Sequence, residues 1–345
     1  MSSQRPFRLA FFSYLEGDLP PAEIYRQTLE IFTLADRLGF DAGWVAQRHF
    51  GGIGTLPSPL VFFAALAART AHIDLGTGVI ALPLEHPVRL AEDAAVFEAL
   101  FPGRLHLGVG TGLVTPATAT LFAGAGVELR HAYEAGLQQL RAALGGEGVT
   151  TDGDHIVPTA PALLDRIWET PASEERMAEA ARRGSGALLS RVAIGGPIGQ
   201  TDPIQRRLVD AYLANLPAGV APRLGLSRSV FPSRDPEAAY RSLRGGVEKG
   251  VAAAAAKDPA LAALSMPELF DHYSIHHGTS AQVIASLAAE PLLGDITELV
   301  CQVQPGVPSL ELTLEAVELI ATEVAPALGW RPAHARQTEL VGRAD

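Results

Sequence analysis

An arginine and a histidine stand side by side where the sequence suggests chemistry. Arg48 and His49 lie just past a short apolar segment, residues 41–45, whose pattern predicts a buried strand. Histidine titrates near neutral pH, so it can act as a general base or orient an oxygen intermediate. Arginine stays charged and cannot act as a base, but it can stabilise an oxyanion or bind an acidic substrate. Because most isolated histidines are structural, packing is the alternative interpretation of His49.

A cluster of glycines follows another predicted strand, residues 104–109. Gly108, Gly110 and Gly112 alternate with Val109 and Thr111. A glycine-rich turn after a strand is typical of phosphate binding, because backbone N–H groups there can face an anion. The spacing is not that of GxGxxG, and a tight turn that needs positive φ is an equal alternative.

A serine begins a predicted helix, residues 173–183, just after the predicted strand 166–169. The hydroxyl of Ser173 can cap the helix and leave other N–H groups free for an anion. A plain N-cap is the favoured alternative. The pair His276 and His277 lies in no HExxH helix and near no thiolate, so the sequence predicts no metal site.

Eight short apolar segments alternate with helical patterns along the chain. Such a rhythm predicts a parallel sheet, and eight units close most simply into a TIM-like (β/α)8 barrel, with an open doubly wound sheet as the alternative. We expect one domain over residues 1–345, with insertions near 113–130, 145–160, 192–202 and 232–277, and a small hairpin within 149–157. The predicted strands are residues 7–12, 41–45, 73–80, 104–109, 166–169, 187–190, 224–231 and 298–303.

Composition excludes several classes of protein. A net charge of −11 argues against nucleic acid as a partner, since phosphate contacts need clustered Lys and Arg. Cys301 is the only cysteine, so an internal disulfide is impossible, and we predict a cytoplasmic protein. Residues 105–127 lack charges, but Gly, Thr and Pro interrupt them, so we expect a loop and no membrane partner.

Taken together, several segments resemble the bacterial luciferase-like monooxygenase family. Their order and spacing carry the resemblance more than any single segment does. The matching segments are FRLAFFSY (7–14), LADRLGFDAGWVAQRHF (34–50), LGTGVIALPLEHPVRLAEDA (75–94), FPGRLHLGVGTG (101–112), RIWETPASEERMAEAARRGSGALLSR (166–191), HHGTSAQVIASL (276–287) and LELTLEAVELIATEVAPAL (310–328).

The resemblance implies a barrel that binds FMN at the carboxyl ends of its strands. Members of the family use reduced FMN and O₂ to oxygenate a small organic substrate through a flavin C4a-hydroperoxide. A separate flavin reductase often supplies the reduced flavin, and homodimers are common. We therefore predict an FMN-dependent monooxygenase with these partners.

The resemblance also implies which residues contact the flavin. Thr77, Gly78 and Val79 match the strand end where the family has a strained, sometimes cis, peptide under the ring. Four residues match positions on the phosphate side of the flavin: Gly110, Thr111, Thr170 and Ser173. Ser173 matches the family's phosphate-contacting serine.

Three positions depart from luciferase. Ala172 replaces a residue that is often acidic, and Thr111 replaces an arginine that contacts the phosphate. We expect Arg191, after the sixth predicted strand, to supply the missing charge. Arg48 stands where luciferase has its catalytic histidine, and His49 matches the second histidine of that motif. This departure argues against light emission and leaves the flavin site intact.

Three alternatives to an FMN monooxygenase follow. A deazaflavin-dependent enzyme of the same fold would transfer hydride without O₂. A non-catalytic flavin-binding barrel would explain Arg48. An unrelated barrel enzyme, such as an isomerase or hydrolase, would need Lys or paired carboxylates at strand ends. Glu169 and Glu298 are the only acids that we place at strand ends, and no Lys lies near them in the sequence.

Overall fold

Parallel strands close into a barrel in the computed structural model, which describes residues 7–51, 54–194, 196–254 and 258–333. Around the barrel the strand order is β10, β1, β2, β3, β5, β6, β7 and β8, and β8 pairs with β10 to close the ring. The predicted (β/α)8 barrel is therefore confirmed. The strands are β1 (Arg8–Ser13), β2 (Ala42–Val45), β3 (Asp74–Thr77), β4 (Ile80–Ala81), β5 (Leu105–Gly110), β6 (Ile167–Glu169), β7 (Gly186–Leu189), β8 (Leu224–Pro232), β9 (Ile275–Gly278) and β10 (Glu298–Gln302).

Amphipathic helices connect the strands. The first shows why they form: Pro21–Leu38 begins with proline, buries one face, and ends at Gly39, whose φ of 86° is left-handed. The buried face contributes Ile31 and Phe32 to the core between strands and helices. The helices are Pro21–Leu38, Pro59–Ala67, Pro87–Leu100, Leu129–Gly145, Glu174–Arg182, Thr201–Asn215, Pro236–Ala254, Met266–His272, Ser280–Ala288 and Leu310–Leu319.

Three local predictions differ from the structure. The predicted strand 73–80 is divided into β3 and β4, because the chain turns at Gly78 and Val79. Residues 149–157 form a turn closed by a 2.7 Å hydrogen bond from Val149 N to Asp154 O, without the strands of a hairpin. β9, which we did not predict, lies in the 232–277 insertion and pairs only with the last residues of β8.

Two tryptophans fill the barrel interior. Trp44 of β2 and Trp168 of β6 meet edge to face, with ring centroids 5.4 Å apart. Each indole lies over a glycine of the neighbouring strand: a Cβ at Gly76 would lie 2.3 Å from Trp44 Cε3, and one at Gly186 would lie 2.4 Å from Trp168 Cε3. These glycines are therefore required by the size of the indoles.

Polar side chains near the amino ends of the strands accept hydrogen bonds from the two indole N–H groups. Trp44 Nε1 donates to Glu298 Oε1 over 2.6 Å, and Trp168 Nε1 donates to His106 Nδ1 over 2.9 Å. Burial raises the pKa of Glu298, and Arg8 beside it opposes that shift. Buried polar groups need such partners, so the floor of the barrel is both closed and polar.

None of the described helices combines the length and the apolar character that a membrane span requires.

Replacing Gly76 with alanine should destabilise the protein, because the new Cβ would overlap Trp44. We expect Gly76→Ala to lower the free energy of unfolding by about 1–3 kcal/mol, the usual cost of overpacking a core. Urea denaturation measures this change. Gly245→Ala is the matched control: Gly245 is an exposed helical residue whose Cβ would meet nothing within 4 Å. There alanine should stabilise by up to about 1 kcal/mol. Equal stability of the two variants would contradict the packing of Trp44 on Gly76.

Candidate active site at the carboxyl ends of the strands

The structure brings most of the predicted residues to one end of the barrel. Because the strands are parallel, the segments that follow them share a rim. The residues on this rim, in strand order, are Arg48 and His49 after β2, Gly78 and Val79 after β3, Thr111 after β5, Thr170, Ala172 and Ser173 after β6, and Arg191 after β7. Thr77 ends β3 and Gly110 ends β5, so they lie directly below.

The segment after β3 is held by a single buried side chain. Gln47 Oε1 accepts from Ala81 N over 2.9 Å, and Gln47 Nε2 donates to Glu85 Oε1 over 2.6 Å and to Pro57 O over 3.1 Å. Its backbone N–H also reaches Val79 O. The peptide bond between Gly78 and Val79 is cis, one of the geometries that the resemblance implied. Gln47 thus fixes the backbone on which the flavin ring was predicted to lie.

The glycines within and just after β5 serve close packing as well as a turn. A Cβ at Gly108 would lie 1.8 Å from Thr77 O, and one at Gly110 would lie 2.6 Å from Thr170 Oγ1. Gly112 has a φ of 70°, so the positive-φ turn that we considered occurs there. The missing side chain at Gly110 keeps the Thr170 hydroxyl uncovered between the segments after β5 and β6.

A shallow cleft opens between those two segments. Gly110, Thr111, Thr170 and Arg176 line its entrance, and the floor is an ion-paired network. In that floor Glu169 accepts hydrogen bonds from Tyr133 Oη over 2.8 Å and from Arg183 Nη2 over 2.7 Å. Burial, followed by the Glu169 charge, raises the pKa of Tyr133, so the phenol stays neutral.

Arg176 is the cation of this cleft that has no carboxylate partner within the described residues. Arg183 is paired with Glu169, whereas Arg176 is half-buried and lies three residues into the helix Glu174–Arg182. Ser173 caps this helix and accepts from Arg176 N over 3.4 Å, as the N-cap interpretation predicted. Hydroxyls, helix N–H groups and one guanidinium are donors suited to a phosphate.

Ala172 lines a neighbouring depression on the other side of Thr170 and Pro171. Most of the remaining lining is apolar, including Leu188 and Ile204. Ala172 therefore faces this apolar depression, and it does not line the cleft that contains Thr111 and Arg176.

Arg191 lies elsewhere on the rim. Its Nη1 donates to Ser229 Oγ over 3.2 Å, and its guanidinium lies 5.3 Å from the centre of the Tyr273 ring. It lines neither of the two cavities beside Thr170. The prediction that Arg191 replaces the phosphate-binding arginine therefore has no geometric support, and Arg176 is better placed.

Arg48 and His49 are both partly buried. Arg48 lies on Tyr14, with 5.4 Å between its Cζ and the ring centre, and its Nη1 donates to Gln47 O over 2.8 Å. Burial lowers the pKa of His49, so its ring is neutral near pH 7. His49 Nε2 is buried without a hydrogen-bond partner in the described part of the chain, and the ring packs 4.6 Å from Phe122.

Sequence reasoning missed two of these residues. The sequence carries only a weak signal for Arg176, which is its position three residues after a capping serine. A helical side chain at that position points back towards the N-terminus of the helix. Gln47 lies within segment 34–50 of the resemblance, and no spacing in the sequence indicates that it bridges Ala81 and Glu85.

Comparison with known proteins identifies the family. A family model described as luciferase-like monooxygenase matches residues 9–290. The chain belongs to the luciferase-like monooxygenase family.

Three named relatives match parts of the chain. A 4-hydroxyprotoasukamycin monooxygenase of Streptomyces nodosus subsp. asukaensis is 38% identical over 31% of this chain and 30% of its own length. Limonene 1,2-monooxygenase of Rhodococcus erythropolis is 31% identical over 50% of this chain and 46% of its own. The oxygenase component of a flavin-dependent trigonelline monooxygenase of Acinetobacter baylyi is 36% identical over 26% of this chain and 25% of its own length. The chain thus spans less than half of the length of each.

Three solved structures share the fold. A monooxygenase of Streptomyces bottropensis has a TM-score of 0.73 at 24% identity, covering 93% of this chain and 100% of that one. The oxygenating constituent of 3,6-diketocamphane monooxygenase of Pseudomonas putida, in complex with FMN, has a TM-score of 0.70 at 18% identity, covering 93% and 98%. A coenzyme F420-dependent tetrahydromethanopterin reductase of Methanopyrus kandleri has a TM-score of 0.66 at 16% identity, covering 93% of this chain and 99% of that one. The fold is therefore shared with an FMN-bound oxygenase constituent and with an F420-dependent reductase.

Replacing Gln47 with alanine should loosen the segment after β3. Ala81 N–H and the Glu85 carboxylate would lose their partners, which costs about 1–3 kcal/mol of the free energy of unfolding. Urea denaturation tests this change. Gln27→Ala is the control, because Gln27 makes one hydrogen bond to Glu23 on a helix surface. If the two variants proved equally stable, Gln47 would not hold this segment.

Proposed function

We propose that this protein is a flavin-dependent monooxygenase that uses reduced FMN and O₂ to oxygenate a small organic substrate. The observation that carries the proposal is the cleft at the carboxyl rim, where Thr111, Thr170 and Arg176 supply donors beside a capped helix. Membership of a monooxygenase family and the fold shared with an FMN-bound oxygenase support it.

The residues present fit a flavin mononucleotide. Thr111, Thr170, Arg176 and the N–H groups of the helix after Ser173 would hold the phosphate. The absence of a side chain at Gly110 leaves space beside Thr170. The backbone from Thr77 to Val79 would support the ring, since Gln47 fixes that segment.

When bound, reduced FMN supplies the activation of O₂ at its C4a atom and the transfer of one oxygen atom. The chain's own contribution is to exclude water and to place hydrogen-bond donors. Trp44 and Trp168 are buried in the barrel below the rim, where their rings meet and fill space that water would otherwise occupy. Neutral His49 would hold or accept a proton at Nε2, and Arg48 would stabilise negative charge on oxygen.

A separate flavin reductase is proposed as the partner that supplies reduced FMN. The trigonelline monooxygenase relative is named an oxygenase component, which supports a two-component system. The homodimer and the cytoplasmic location stay predictions, and light scattering in solution would test the first.

Stopped-flow mixing with reduced FMN and O₂ tests the proposed activity. Flavin reoxidation in the presence of the protein should be slower than in buffer and should depend on protein concentration. Reoxidation at the rate seen in buffer would contradict an oxygenase. Binding of a 5-deazaflavin in preference to FMN, measured by fluorescence quenching, would instead favour hydride transfer. Tight FMN binding without protected reoxidation would favour the non-catalytic flavin-binding barrel.

Replacing Arg176 with glutamine should weaken FMN binding, because the proposed contact with the phosphate is lost while contacts with the ring are kept. A charge-assisted hydrogen bond contributes about 1.5–3 kcal/mol, so the Kd for FMN should rise about tenfold or more. The Kd for riboflavin, which lacks the phosphate, should not change. Flavin fluorescence titration measures both constants.

The control is Arg182→Gln, because Arg182 is an exposed residue of the same helix that donates to Asn215. It should leave both dissociation constants unchanged. A similar loss of FMN and riboflavin affinity in Arg176→Gln would place the phosphate elsewhere.

A further inference from the structure

Two arginines stand at the barrel mouth in similar settings. Arg48, after β2, lies over Tyr14, and Arg191, after β7, lies over Tyr273, at 5.4 Å and 5.3 Å from the ring centres. A ring face holds a guanidinium through its flat side and leaves the N–H edges free for a ligand. The two strand ends thus present two oriented cations to the mouth.

Neither guanidinium forms a close ion pair with a carboxylate among the described residues. Many other arginines of the fold do form such pairs. Arg183, for example, meets Glu169 at 2.7 Å, and Arg228 meets Glu290 at 3.0 Å. Glu16 is the carboxylate within electrostatic range of both mouth arginines. Burial raises the pKa of Glu16, and the charges of Arg191 and Arg48 oppose that rise. Two cations therefore face one carboxylate in a chain whose net charge is −11.

The hydrogen bonds of Arg48 leave one edge of its guanidinium unused. Nη1 donates to Gln47 O over 2.8 Å, while Nε is buried and has no acceptor in the described part of the chain. Nε and Nη2 form the edge that binds a carboxylate with two parallel hydrogen bonds. A buried N–H of a charged group without an acceptor is unfavourable, so an oxygen that reaches this edge is favoured.

Arg191 is held in place from below and from the side. Ser229 Oγ accepts a hydrogen bond from Arg191 Nη1, and the backbone carbonyl of Arg191 accepts one from Ser274 Oγ over 3.2 Å. The residue before it is fixed too, because Gln205 Nε2 donates to Ser190 O over 2.6 Å. Gln205 in turn accepts from Arg228, which is fully buried. The position of Arg191 at the mouth is therefore built by several buried contacts.

We propose that Arg48 and Arg191 form the receptor for an anionic group of the substrate, and that this substrate is an organic carboxylate. The proposal rests on the proposed function, since it names the substrate class of the same site. The carboxylate would occupy the free edge of Arg48 and take the place of Glu16 as the counter-charge. A planar group with two oxygens suits that edge better than an aldehyde or an alkene does.

The test uses carboxylates and amides of the same shape as probes. Isothermal titration calorimetry would measure octanoate against octanamide, and benzoate against benzamide, with the protein alone and with FMN added. We expect at least one carboxylate to bind about tenfold or more tightly than its amide, and added NaCl to weaken only the carboxylate. Lack of preference in both pairs, including lack of binding, would overturn the proposal.

Variants assign that preference to the two arginines. Arg48→Gln and Arg191→Gln should each remove most of it, and Arg48→Lys should restore part of it, because it keeps the charge without the fork. Arg244→Gln is the control, since Arg244 is exposed and pairs with Glu248 on an outer helix. Circular dichroism confirms that each variant is folded. A full preference in Arg48→Gln or Arg191→Gln would overturn the role of that residue.

Riboflavin and FMN titrations separate this proposal from the proposed function. If FMN binds and no carboxylate preference is found, the substrate class is wrong and the flavin site stands. If the carboxylate preference is found in protein that does not bind FMN, the anion receptor stands and the monooxygenase proposal fails.

Discussion

The meeting of two indoles inside the barrel constrains the rest of this structure. An eight-stranded ring has an interior that side chains must fill. Trp44 and Trp168 do so together, which forces glycine at 76 and 186 and demands acceptors for two N–H groups. The buried positions of Glu298 and His106 follow from that demand. The candidate site lies at the other end of the barrel, on the carboxyl rim.

This constraint explains which parts of the fold could be predicted. Strand and helix periodicity depends on local burial, so eight units and their closure were visible in the sequence. The role of Gly76 was not, because it depends on an indole of the neighbouring strand. β9 escaped detection since its four residues include two histidines and it pairs only with the end of β8. Short segments inside insertions carry too little pattern for assignment.

The candidate site was predictable to a similar extent. Ser173 could be placed because capping is a local rule. Arg176 could not be separated from ordinary polar residues of a surface helix, and only the cleft reveals it. Arg191 was expected beside the phosphate, but contacts with Ser229 and Tyr273, both distant in sequence, place it at another part of the rim. Side-chain direction at strand ends is set by tertiary contacts that spacing does not encode.

Taken together, the rim has two regions that each contain an arginine without a close carboxylate partner among the described residues. One is the Arg176 cleft next to β5 and β6, proposed for the cofactor phosphate. The other is the pair Arg48 and Arg191 at the mouth, proposed for the substrate, with the backbone at Gly78 assigned to the ring. The most direct test is a crystal structure of the protein soaked with FMN. The account predicts the ring against Gly78 and Val79 and the phosphate beside Thr111, Thr170 and Arg176. A flavin bound outside the barrel mouth, or a phosphate held by Arg191, would contradict it.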